Sequence, residues 1–359
     1  MRVHNFGAGP CTLPFEVLAE AEKELLDYRG AGMSLVEMSH RSVEYDAVHR
    51  DTLDLLRRVA GVPAAFDILF VQGGATLQFA MVPMNLLAGG GSAGFVLSGS
   101  WAKKALDDAA LVGDAYAAWD GAGSAYTTFP ASGEVVVREN TRYLHVTTNE
   151  TIGGIRMVDF PDVGVPLVAD MSSEYLARPI EWDRYDLVYG GVQKNLAPSG
   201  LAVVFVRSTA LDDSTERLPA YLRYRWHADS ASLGNTPAMF PIYIMGKVLE
   251  VIEDRGGIEA LERESADKAA AVYEVIDTSG GFYLSPVAPA VRSHMNVVFR
   301  LPSQDLETAF LAEARRRRMV GLKGHRSVGG IRASLYAACR MESVEALTSF
   351  MREFAASAG

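Results

Sequence analysis

The chain has 359 residues, 49% apolar and 22% charged, the make-up of a folded globular protein too long for one comfortable core, so two domains are expected. With 34 Lys and Arg against 44 Asp and Glu, the formal charge of −10 argues against a nucleic-acid or anionic-membrane partner. Cys11 and Cys339 are too few for a disulfide framework, no Cys/His spacing suits a metal, and neither an export signal nor a membrane-spanning run is read, so a reducing cytoplasm is expected.

In chain order, Phe66 to Val71 reads as a short buried strand, Gly73-Gly74 breaks it, and Thr76 to Leu87 reads as a helix with an apolar face. Phe95 to Leu97 predicts a second strand and Lys103 to Ala110 a helix. Further strands are expected at Val112 to Ala118, Leu144 to Thr147, Leu167 to Ala169, Asp186 to Tyr189 and Leu201 to Val206. Short apolar runs alternating with helices imply an α/β fold with a mostly parallel sheet covered on both faces. After Asn235-Thr236, Pro237 is placed to open a helix to Glu253 that stops at Gly256-Gly257, and a second long helix spans Ile258 to Thr278. Phe282 to Leu284 and Asn296 to Leu301 read as strands, Gln304 to Arg317 as a helix, Ile331 to Ser334 as a strand and Ser343 to Phe354 as a closing helix. This change of grammar predicts a smaller α+β domain beginning near Gly256, with the first dozen or so residues belonging to it.

Two signals are discounted. Gly89 to Gly94 satisfies a G-x-G-x-x-G spacing but precedes a strand instead of leaving one, so it is not a dinucleotide fingerprint. Arg315 to Arg318 sits at a helix end, where cations complement the dipole and are usually solvated.

The informative residues fall at the carboxyl ends of predicted strands, where open α/β sheets bind ligands. Lys194 follows Gly190-Gly191 at such an end, and Asp170 closes the strand just upstream. A lysine so placed beside a buried carboxylate suits pyridoxal phosphate: the amine carries the Schiff base and the acid keeps the pyridine nitrogen protonated. Gly73-Gly74-Ala75-Thr76 leaves a strand and opens a helix, offering free N–H groups and a hydroxyl to a phosphate. Trp101 can stack on a flat ring, and Thr151 can donate to its phenolic oxygen.

Asn5-Phe6 with Gly9-Pro10, Ser39-His40-Arg41, Asn149-Glu150-Thr151, Gln193-Lys194-Asn195, Asn235-Thr236-Pro237 and the run from Lys323 to Ser334 resemble, in order and spacing, the phosphoserine aminotransferase family. The resemblance implies a fold-type I, class V pyridoxal-phosphate transferase, with a large mostly parallel-sheet domain over residues 14–256 and a small α+β domain over 1–13 plus 257–359. It implies a homodimer with a shared active site. The activity implied is ping-pong amino transfer between glutamate/2-oxoglutarate and 3-phosphohydroxypyruvate/O-phosphoserine in serine biosynthesis, with 4-phosphohydroxythreonine of vitamin B6 synthesis as a related substrate. The alternative is another class V enzyme, such as an alanine- or serine-glyoxylate transaminase.

By the same resemblance, Lys194, Asp170 and Trp101 are catalytic, and Ala75, Thr76 and Gln193 hold the cofactor phosphate with Asn235 and Thr236 from the other subunit. Arg332 would take the α-carboxylate; His40, Arg41, His325 and Arg326 would take the distal anion, the first two across the interface. Two Arg-His pairs supply more positive potential than a dicarboxylate requires and so point to phosphate. Ala8 and Thr76 depart from the serine and arginine of many relatives, which touches substrate preference.

Overall fold

The computed structural model describes residues 2–131, 133–211 and 213–358. The chain enters through a short strand, β1 (His4–Asn5), then two helices, α1 (Phe15–Glu24) and α2 (Val43–Val59). Neither helix was expected from the sequence, although α2 carries clear signals. The Ser42 side chain accepts from the Tyr45 amide, Glu44 and Asp46 occupy the first turn, and Arg57 and Arg58 the last.

Next come β2 (Phe66–Gln72), α3 (Gly74–Leu86), β3 (Ser92–Leu97), α4 (Ser100–Val112), β4 (Asp114–Asp120) and β5 (Thr141–Thr147). A two-residue hairpin pair, β6 (Asn149–Glu150) and β7 (Ile155–Arg156), precedes β8 (Leu167–Asp170), β9 (Tyr185–Gly191) and β10 (Leu201–Arg207). Helices α5 (Tyr224–Asp229), α6 (Met239–Asp254) and α7 (Gly257–Asp277) follow. The remainder is β11 (Asn296–Phe299), α8 (Gln304–Arg316), β12 (Met319–Val320), β13 (Ile331–Ser334) and α9 (Met341–Ala358).

The main sheet has the order β2-β10-β9-β8-β5-β3-β4. Only β10 runs against the rest, pairing antiparallel with both β2 and β9. Period-two alternation sends neighbouring apolar residues to opposite faces. Ile68 and Phe70 join the core built with α2 and α6, while Leu69 and Val71 join the core under α3 and α4. Burial on both faces explains why these strands read as unbroken apolar runs. A separate core gathers α7, α8, α9, β11 and β13. Phe6 lies in it, β1 pairs in parallel with β12, and the Ser334 amide donates to the Phe6 carbonyl at 3.1 Å.

Several boundaries moved for local reasons. Val112 belongs to α4, and Gly113 ends that helix, so the strand expected from 112 starts at Asp114. Phe282 to Leu284 is not a strand: the Phe282 amide turns back to the Ser279 carbonyl, and only Leu284 bridges to Arg300. The helix expected from Pro237 begins at Met239, with Ala238 as its cap. At the far end Gly256 has φ 96° and separates α6 from α7, a left-handed turn that glycine adopts without strain. Among the described residues no helix is long and apolar enough to cross a membrane.

Candidate active site

The site residues come from the ends of neighbouring strands of the main sheet. β9 ends at Gly191, and a single turn of 3-10 helix over Val192–Lys194 lifts the lysine off the sheet before β10 returns beneath it. Lys194 Nζ donates to Thr151 Oγ1 at 2.7 Å. The same nitrogen lies 5.2 Å from the centre of the Trp101 ring. From the other side the N-terminal segment closes the turn. The Cys11 amide donates to the Gln193 carbonyl at 3.0 Å, and Gly9 lies against the lysine, where an added Cβ would make ordinary contact with Lys194 Cγ at 3.4 Å.

Burial pushes the Lys194 amine down to about 8, because the ammonium loses hydration that Asp170 and Glu150 only partly replace, and the Arg332 charge adds to the fall. Asp170, at the end of β8, is 5% exposed. Burial raises its carboxyl above the ordinary value, while Lys194 and the Ser172 amide, donating to Oδ1 at 2.8 Å, hold it back. Glu150, fully buried, accepts from the Ala102 amide at 3.0 Å and the Trp101 amide at 3.3 Å. Burial takes its carboxyl up to about 7.

A phosphate cradle lies beside the lysine turn. α3 begins at Gly74 with no side chain capping its first amides, so those N–H groups remain for a ligand. Gly191 faces them: an added Cβ would stand 2.8 Å from Gln193 Oε1 and 3.3 Å from the Ala75 nitrogen. Gln193 Oε1 is itself buried without a partner, and an amide that can present either O or NH2 is suited to an incoming anion. Cradle, indole plate, lysine and buried acid together fit pyridoxal phosphate.

Arg332 points into the same space from β13. Its Nη1 donates to the Thr151 carbonyl at 3.3 Å, Nε is buried without a partner, and burial lowers its affinity for the proton. Arg332 and His325 line a cleft of ≈ 310 Å³ shared with Gly153 and Arg300. His325 Nδ1 is 2.7 Å from Ser327 Oγ, and burial with the charges of Arg332, Arg326 and Lys104 depresses its protonation.

The sequence-predicted residues thus form two groups. Lys194, Asp170, Trp101, Thr151, Gln193, Ala75 and Arg332 converge, with His325 at the cleft and Arg326 exposed next to it in sequence, near enough for its charge to act on His325. His40, Asn235 and Thr236 form a second cluster around Gln72: Asn235 Nδ2 donates to Gln72 Oε1 at 3.0 Å, and Thr236 Oγ1 is 3.4 Å from His40 Nδ1. Arg41 and Thr76 are exposed beside these clusters. No hydrogen bond joins His40 or Arg41 to His325 or Arg326 among the described residues. At the departure from many relatives, the Ala8 carbonyl accepts from the Tyr336 hydroxyl at 2.9 Å. The residue that sequence reasoning passed over is Glu150. Its signal was its place in the Asn149-Glu150-Thr151 motif, in which only Thr151 was given a role.

Comparison with known proteins agrees with this geometry. Residues 3–347 match the aminotransferase class-V family. The phosphoserine aminotransferase of Niallia circulans is 48% identical over 100% of this chain and 99% of its own. A solved phosphoserine aminotransferase from Bacillus circulans subsp. alkalophilus superposes with a TM-score of 0.97 at 48% identity, covering 100% of this chain and 99% of the other. The pyridoxal-phosphate-bound phosphoserine aminotransferase from Trichomonas vaginalis does so with a TM-score of 0.94 at 35% identity, covering 98% and 100%. Full-length likeness of this degree, on a site with this lysine turn, makes the chain a member of the class-V aminotransferases and, within them, of the phosphoserine aminotransferase family.

Proposed function

We propose that the chain exchanges the amino group between glutamate/2-oxoglutarate and 3-phosphohydroxypyruvate/O-phosphoserine in serine biosynthesis, using pyridoxal phosphate held on Lys194. The observation that carries the assignment of residues is the convergence of Lys194, Thr151, Trp101 and Asp170 at the carboxyl ends of adjacent strands.

The cofactor, when bound, supplies an electrophilic carbon and an electron-withdrawing ring. Every other contribution comes from the chain. Lys194, with its amine brought down to about 8, has a substantial neutral fraction near neutral pH and can take a proton from the substrate Cα and return it. Thr151 Oγ1 holds the amine at 2.7 Å, fixing where that proton travels. Asp170 is buried beside it with a raised carboxyl, a closer match to a pyridine nitrogen than a solvated acid. Trp101 provides a flat apolar wall, and the α3 amides with Gln193 supply donors to the phosphate. Arg332 presents its guanidinium fork to the α-carboxylate, already oriented by the Thr151 carbonyl. Arg326 adds positive charge for the distal phosphate or carboxylate, while His325, its protonation depressed by burial and by the Arg332 and Arg326 charges, offers the hydrogen bonds of a neutral imidazole.

His40, Arg41, Asn235 and Thr236 are assigned to the partner's site in a homodimer. The support is the number of exposed apolar side chains in the segment of chain around His40 and Arg41: Phe15, Leu26, Met33, Val36 and Val43 are all exposed, Leu26 by 85% and Val43 by 83%. Exposed apolar surface, where contiguous, marks protein contacts. We place the domain division at 14–256 against 1–13 plus 257–359, on the support of the Gly256 turn and the separate core of α8, α9, β11, β13 and the later part of α7; the start of α7, at Ile258 and Leu261, packs with the larger core. A cytoplasmic location is assigned on the two free cysteines. Half-reaction kinetics test the function: O-phosphoserine must convert the bound cofactor to its amine form and 2-oxoglutarate must restore it. A protein that responds to alanine or serine instead would be a different class V transaminase.

A further inference from the structure

Glu150 and Thr151 are consecutive, yet they fix opposite walls of the site. Thr151 holds the Lys194 amine at 2.7 Å. Glu150 reaches across to the first turn of α4, where its two oxygens accept from the Trp101 and Ala102 amides. Those N–H groups are among the four that a helix start leaves without intrahelical partners, and no side chain of the Gly99 cap serves them. The fit is tight: a Cβ on Gly99 would lie 2.6 Å from Glu150 Cδ. A glycine here therefore admits the carboxylate, since its φ of 167° is ordinary extended backbone.

We propose that Glu150 is a positioning residue which clamps the start of α4, and so sets the depth and tilt of the Trp101 indole relative to Lys194. The proposal rests on the reading of Trp101 as the stacking wall. The Glu150-Thr151 dipeptide at the end of β6 then acts as a spacer, with one residue gripping the ring support and the next the reacting amine. Glu150 is fully buried and makes no ion pair among the described residues; Asp170 from β8, Lys194 from its turn and Tyr126 are titratable groups that feel its charge. A buried carboxylate kept for stability alone would be poorly placed here, because an apolar side chain avoids its desolvation. Its carboxyl, up to about 7, is held partly ionised by the two amides and Lys194.

The test is Glu150→Gln, which keeps shape but turns an NH2 toward one of the two amides. In the cofactor-free protein, the indole N–H resonance of Trp101, assigned by its loss in Trp101→Phe, should move while those of Trp119, Trp182 and Trp226 stay. In the loaded enzyme kcat should fall about tenfold, the scale of one lost charge-assisted hydrogen bond, with KM changed less than about twofold. On a Trp101→Phe background the same substitution should cost almost nothing further. Gly99→Ala, which displaces the carboxylate without changing its chemistry, should reproduce the spectral and kinetic effects if Glu150→Gln fails to fold. An unmoved Trp101 resonance, or an equal kcat loss with and without the indole, overturns the clamp. The loss on Trp101→Phe alone checks the stacking role separately.

Discussion

Lys194 and Thr151 are joined by a 2.7 Å hydrogen bond across 43 residues of sequence, from the turn after β9 to the hairpin after β5. The bond aims the amine toward the Trp101 ring and away from bulk water. Removing the amine should therefore remove chemistry, not merely binding. Lys194→Ala is expected to lower turnover by at least about 10³-fold, within the range of positioned acid–base groups, and to leave no borohydride-reducible link to the cofactor. Single-turnover absorbance and mass spectrometry after reduction check both; retained turnover sinks the assignment.

The amine brought down to about 8 predicts how cofactor capture depends on pH. Only the neutral amine attacks a carbonyl, and its fraction rises about tenfold per pH unit below its pKa. Association of pyridoxal phosphate with cofactor-free protein should accelerate up to about pH 8 and then level, well before an ordinary lysine would. Stopped-flow absorbance reads this directly, and a rate still climbing through pH 10 contradicts it.

Gly191→Ala should fill the cradle. The backbone there has φ −74° and ψ 121°, which alanine accepts, so folding is spared and the effect falls on the Cβ facing Gln193 and Ala75. Cofactor affinity should drop by at least about tenfold, ~1.4 kcal/mol, in a fluorescence titration. Unchanged affinity would place the phosphate elsewhere.

Substrate anions separate the two arginines. Arg332→Ala should weaken both half-reactions by about 10²-fold, the usual cost of truncating one partner of a buried charge pair. Arg326→Ala, at an exposed side chain whose charge acts on His325, should harm the O-phosphoserine half-reaction about tenfold more than the glutamate one. Equal losses with both donors would remove the case for a phosphate pocket.

The homodimer is open to a direct check. Leu26→Glu with Val43→Glu places two charges among the exposed apolar side chains, and sedimentation should shift from dimer to monomer with activity lost in parallel. A monomeric wild-type protein that is active would overturn the shared site.

Much of this was legible because it rests on short-range pattern. The runs Phe66 to Val71 and Leu201 to Val206 are buried on both faces and bounded by glycine, and both are strands within a residue or so of expectation. The lysine turn and its acid were visible as residues at strand ends. What escaped depended on tertiary partners. β12 is two residues long and exists only because β1 lies beside it. Phe282 to Leu284 has strand-like residues but no neighbour to pair with along its length. Glu150 looked like one letter of a motif, since nothing local reveals that its carboxylate spans to a helix 48 residues earlier. The order of β10 between β2 and β9 was equally invisible, because adjacency in a sheet is set by the whole chain.

That reversal of β10 has a mechanical outcome. Lys194 sits on the bend joining two inner ladders, β9 and β10, each bonded on both edges. Both ends of the connection are therefore tied to strands whose opening is among the costliest local openings a domain can make. The reacting amine is accordingly carried on a support anchored at both ends in the middle of the sheet.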